Sequence, residues 1–141
     1  AGLPQVEIGG IAQALGFVRQ VVRDGIATAA HDVSDGGLAC ALAEMAIAAA
    51  SGIEADLDPL VELRGGSGES CLFGEGPGGV VLGVAPGQLP GLLEAAERAG
   101  VEALEVGSVG GDRLEFSAAE RDVSVALADA NRAWRSLPER L

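Results

Sequence analysis

An α+β domain, a mixed β-sheet flanked by α-helices, is predicted here from three observations. Stretches of helical apolar periodicity alternate with short apolar runs of strand length. A glycine pair at Gly110-Gly111 between two alternating runs reads as a hairpin, which a purely parallel sheet lacks. Aromatics are scarce, with three Phe, one Trp and no Tyr, so the core is built from Ala, Val, Leu and Ile packed closely. At 141 residues the chain has the size of one domain, 1–141.

The elements follow in order. Residues 1 to 10 read as a tether ended by Gly9-Gly10. Ile11 to Asp24 reads as a helix, with Leu15, Val18, Val21 and Val22 at helical spacing and Gly25 as its stop. Ile26 to Ala30 is a short buried strand, and the segment His31 to Gly37 is a loop. Leu38 to Ser51 has high helix propensity and only Glu44 is charged, so most of its circumference must be covered. Gly52 caps it and Ile53 to Leu57 is a strand. Arg64 to Gly68 reads as a flexible loop, and Cys71 is placed in a glycine-rich loop. Gly79 to Val84 is a strand, and Leu89 to Ala99 a helix stopped by Gly100. Leu104 to Val109 and Arg113 to Phe116 form the hairpin, followed by a strand at Val123 to Ala126. The last helix, Ala128 to Leu137, is anchored by Trp134 and ended by Pro138.

Net charge is −12, from 21 acidic residues against nine Arg and no Lys. That surface repels nucleic acid and anionic membrane. No apolar run reaches the ~20 residues of a membrane span, and no signal-peptide pattern opens the chain. With two cysteines, Cys40 and Cys71, expected as free thiols, a cytoplasmic location is expected. The opening Ala1-Gly2 has no initiator Met, which suggests a piece of a longer protein.

The segment richest in chemistry is His31-Asp32-Val33-Ser34-Asp35-Gly36-Gly37. On one reading, the N–H groups of Gly36 and Gly37 open a helix N-terminus at a ligand site, and Asp32 and Asp35 hold Mg²⁺. On the plainer reading, Ser34 or Asp35 is a helix N-cap and the glycines permit a tight turn. Between Arg23 and Arg64 the only possible cation is His31, unless Arg64 or Arg113 folds back. A self-sufficient nucleotide site supplies Lys or Arg to the phosphates. The loop therefore completes a site rather than forming one. His31 has no second histidine to share a metal, and neither cysteine has a neighbouring His to activate it. No catalytic residue and no metal ligand set is assigned. The runs Gly65 to Gly68 and Gly74 to Gly79 match no phosphate-binding fingerprint.

His31 to Leu38, continued by Ala41-Leu42-Ala43-Glu44-Met45-Ala46, resembles the signature of the phosphoribosylformylglycinamidine synthases, in the last domain of their large synthetase subunit. Phe17 to Gly25, Leu72-Phe73-Gly74-Glu75 with Val80 to Val84, Leu104 to Leu114, and Val123 to Trp134 are similar to its other segments, in the same order. Aminoimidazole ribonucleotide synthetase, selenophosphate synthetase, thiamine-monophosphate kinase and a hydrogenase maturation protein share the fold but vary the loop. The resemblance implies a domain like the C-terminal domain of aminoimidazole ribonucleotide synthetase. It implies ATP-dependent amidation of formylglycinamide ribonucleotide by glutamine-derived ammonia, with ATP and Mg²⁺ bound mainly in preceding domains. It also implies glutaminase and small accessory subunits as partners, and a cleft wall formed by His31, Asp32, Ser34, Asp35, Gly36, Gly37 and Glu75. Where the family usually carries an Arg after "FGE", this chain has Gly78-Gly79, which puts that Arg's contact in question. The competing expectation is an independent binding or assembly module without catalysis.

Overall fold

The structure, a computed structural model, describes residues 7–136. In chain order its elements are α1 (Ile8–Arg23), β1 (Ala27–Asp32), α2 (Gly37–Ala49), β2 (Ile53–Asp56), α3 (Asp58–Arg64), α4 (Gly68–Phe73), β3 (Val80–Val84), α5 (Leu89–Arg98), β4 (Gly107–Val109), β5 (Arg113–Ala118), β6 (Arg121–Ala126) and α6 (Leu127–Arg135). They fall into two units. One contains the residues up to Ser34 with Gly76–Leu104, and the other Asp35–Glu75 with the residues from Glu105 onward.

The first unit holds α1, β1, β3 and α5. β1 and β3 pair antiparallel, with Ala30 opposite Leu82 and His31 opposite Val81. A bond from the Val33 N–H to the Gly79 carbonyl (2.8 Å) carries the ladder past the end of β1. Both helices stop by one device. Gly25 (φ 69°) and Gly100 (φ 64°) adopt left-handed backbone. The following residues, Ile26 and Val101, then donate back to the Val21 and Ala96 carbonyls at 3.1 and 2.9 Å. Val21, Leu92 and Ala96 are the buried side chains of these helices. α1 begins at Ile8, so Gly9 and Gly10 lie in its first turn and not in a tether; residues 1–6 lie outside the described residues.

The second unit is built on a mixed four-stranded sheet in the order β4-β2-β5-β6. β2 runs antiparallel to β4 and parallel to β5, and β5 runs antiparallel to β6. Period-two alternation puts Ile53 and Ala55 of β2 on the buried face with Leu114, Phe116 and Ala118 of β5. α2 contributes Leu38, Ala39, Ala41, Leu42 and Ala46 to the same core, and Leu57 and Leu72 are fully buried. The charge-poor α2 thus buries one broad face, while Cys40 and Glu44 stay exposed.

The predicted hairpin is corrected. β4 and β5 are not neighbours, because β2 lies between them. The Gly110–Asp112 turn arches over the start of β2, where Gly110 donates to the Gly52 carbonyl (2.8 Å) and Gly52 donates to the Gly111 carbonyl (2.9 Å). The true hairpin is β5–β6, through Ala119 at φ 50°. Nor does Gly52 cap α2. Ala50, at φ 51°, closes that helix, and Ser51 donates to the Ala46 carbonyl.

Residues 58 to 73, where the sequence indicates only a flexible loop at Arg64 to Gly68, contain α3 and α4 on either side of a short turn. Pro59 opens α3, and α4 opens on a reciprocal box in which Ser67 and Ser70 each bond the other's backbone N–H. Cys71 therefore sits in a helix. Trp134 is not a buried anchor: it is 48% exposed, and α6 has no fully buried residue. The predicted stop at Pro138 lies outside the described residues.

Candidate functional site

His31 and Asp32 end β1, so the strand's pairing with β3 fixes their backbone. The His31 ring is partly buried, and its Nδ1 lies 2.7 Å from the Asp32 carbonyl oxygen. A carbonyl oxygen only accepts, so this contact is a hydrogen bond in the Nδ1–H tautomer. The same nitrogen is 3.7 Å from the Asp32 carboxylate. Asp32 and Ser34 are otherwise exposed at the end of this unit.

Asp35, Gly36 and Gly37 begin the other unit and start α2. The N-cap is Gly36, in left-handed backbone at φ 77°, and no side chain caps the helix locally. This corrects the reading of Ser34 or Asp35 as N-cap. Gly37 is also left-handed, at φ 70°. A Cβ there would lie 2.7 Å from the Phe73 carbonyl carbon and 2.8 Å from the Leu72 oxygen. No larger residue fits, because the turn is pressed onto the backbone that ends α4.

That same stretch supplies the missing cap. The Gly36 N–H donates to Glu75 Oε1 at 3.0 Å, across 39 residues of sequence. A carboxylate at the positive end of α2 is favoured by the helix dipole. α2 has no acidic residue of its own in its first turn. So the structure joins Glu75 to Gly36, while His31, Asp32 and Ser34 belong to the first unit. Sequence reasoning missed the part played by the Leu72–Phe73 backbone. Its only trace is the glycine pair, which tells of a close approach without naming what approaches.

The arrangement does not fit a nucleotide–metal site by itself. Among the described residues, no group of three or more His, Cys, Asp or Glu could hold a metal ion. Arg113 is engaged on its own sheet, with Ser124 Oγ at 2.8 Å and Glu115 at 3.5 Å. Arg121 pairs with Glu69 at 3.1 Å. An anion arriving at the α2 N-terminus would also compete with the Glu75 carboxylate. No step through ATP or Mg²⁺ is therefore derived from this chain.

Both cysteines are free thiols. Partial burial pushes the Cys40 thiol up, reinforced by the Glu44 carboxylate one turn away. Burial also raises Cys71, against the opposing charge of Arg64. Raised thiols are weak nucleophiles at neutral pH.

Residues 12–118 match the AIR synthase related protein, C-terminal domain family. The chain belongs to that family. The match takes in the His31–Gly37 loop and Glu75 and stops before α6. Over 123 residues the chain is 46% identical to the phosphoribosylformylglycinamidine synthase subunit PurL of Chelativorans sp. (strain BNC1), covering 84% of this chain and 16% of that protein. Over 118 residues it is 41% identical to the subunit of the same name from Brucella ovis, covering 84% of this chain and 15% of that one. The chain thus spans only about a sixth of the length of these relatives.

Among solved structures, T. maritima PurL complexed with ADP superposes with a TM-score of 0.73 at 19% identity, over 84% of this chain and 21% of that one. The PurLQS structure from Thermotoga maritima gives 0.70 at 20% identity, over 83% and 21%. At such identities the likeness concerns fold, and it confirms for this AIR synthase related domain the predicted α+β class with mixed sheet and flanking helices. The names of the relatives agree with the resemblance carried by His31 to Leu38.

Proposed function

We propose that this chain is the C-terminal domain of a PurL-type phosphoribosylformylglycinamidine synthase acting in purine biosynthesis in the cytoplasm. The observation that carries the reading is the 46% identity to a PurL subunit over 84% of the chain. The whole enzyme converts formylglycinamide ribonucleotide and glutamine-derived ammonia to the amidine at the expense of ATP. In this reading His31, Asp32, Ser34, Asp35, Gly36, Gly37 and Glu75 form one wall of a cleft that preceding domains complete. Those domains supply most of the ATP and Mg²⁺ contacts, and glutaminase and small accessory subunits assemble around them. One observation supports a dependent role: the loop has no Lys or Arg in the stretch between Arg23 and Arg64. No described helix is long and apolar enough to cross a membrane.

The test is ATP hydrolysis and amidine formation from formylglycinamide ribonucleotide and ammonia. The 141 residues alone should give no turnover. The Chelativorans subunit with this chain in place of its matching segment should be active. Robust turnover by the isolated chain, or a folded chimera with no activity, would overturn the proposal.

A further inference from the structure

We infer that Glu75 is a positioning residue: its part in that wall is to hold the Asp35–Gly37 turn in its working geometry through Gly36. The inference rests on the synthetase reading above, and deepens it.

Three features of the second unit converge on Glu75. Gly36 and Gly37 are consecutive left-handed residues, at φ 77° and 70°. Glycines have the widest backbone freedom, so such a turn needs an external brace to stay in one conformation. No side chain of the loop supplies the brace, since α2 has neither a local cap nor an acid in its first turn. The brace comes from the end of α4 in two parts. The Leu72–Phe73 backbone blocks the space beside Gly37, and Glu75 accepts the Gly36 N–H at 3.0 Å. Between them, Gly74 turns the chain out of α4, its N–H donating to the Ser70 carbonyl at 2.9 Å. A Cβ on Gly74 would lie 2.2 Å from that carbonyl oxygen, so no larger residue fits where the chain turns toward Glu75. The acceptor oxygen, not the charge, is what the Gly36 N–H requires, and an amide of the same reach provides it.

This separates positioning from substrate contact. Glu75→Ala in the active chimera should lower kcat about tenfold, the scale of one lost hydrogen bond, with KM little changed. Glu75→Gln should restore most of the rate. In the 141-residue chain, exchange of the Gly36 amide hydrogen should quicken in Glu75→Ala and not in Glu75→Gln. Equal losses in Ala and Gln variants would mean that the charge acts directly, and would overturn the inference. So would a Glu75→Ala variant with unchanged kcat and unchanged Gly36 exchange. An unmutated chimera without activity sinks the synthetase reading instead, and the exchange measurement still judges the brace.

Discussion

At Ala50 an L-residue occupies left-handed backbone, φ 51°, to close α2. That conformation costs a non-glycine residue about 1 kcal/mol or more. Glycine relieves the strain but gives part of the gain back as unfolded-state entropy. Ala50→Gly should therefore stabilise the chain by about 0.5–1 kcal/mol, seen as a higher urea midpoint at unchanged slope. An unchanged or lower midpoint would show that Ala50 is not strained. The sequence hides this residue, because a helix stop is expected at glycine and Gly52 stands two positions away. Gly25 and Gly100 are legible as stops because there the usual rule holds. Glu75 illustrates the opposite limit. Its carboxylate meets Gly36 across 39 residues, and no local pattern records such a meeting. The loop's residue types can be read from sequence, but its brace cannot.

Between elements, the decisive event is the insertion of β2 between β4 and β5. Locally, two alternating runs around Gly110-Gly111 look like a hairpin, and turn chemistry alone favours that reading. What prevents it is a strand far earlier in the chain, preceded by Gly52, which leaves room for the arch above it. A Cβ on Gly52 would sit 2.3 Å from the Arg113 oxygen and 2.6 Å from the Gly110 oxygen, both backbone atoms that cannot swing aside. Gly52→Ala should cost about 3 kcal/mol, at the upper end of overpacking effects. A thermal or urea melt within error of the parent would show that the arch is not tightly closed on β2. α3 and α4 escape sequence reading for a related reason. Helices of seven and six residues are held by packing and caps rather than by propensity. The cap of α4 uses Ser at the position where Glu or Gln is the recognised signal.

Across the whole molecule, negative charge prevails. Twenty-one acidic residues face nine Arg, for a net charge of −12. Among the described residues, the ion pairs involving Arg are exposed. In Arg98–Glu94, Arg113–Glu115 and Arg121–Glu69, every partner keeps roughly half or more of its side-chain surface in water. Such pairs contribute ~0–1 kcal/mol each. Salt weakens those attractions, but it also weakens the repulsion among the excess carboxylates, which are drawn closer together by folding than in the open chain. With acids outnumbering bases by more than two to one, relief of repulsion should win. Raising NaCl from 10 to 100 mM shortens the screening length from about 30 to about 10 Å, shorter than the spacing of many same-sign charges on a domain this size. A gain on the order of 1 kcal/mol corresponds to a Tm increase of about 3–5 °C. Scanning calorimetry at fixed neutral pH across that series measures it. A Tm that falls with salt would mean that the Arg–carboxylate pairs outweigh the surplus negative charge.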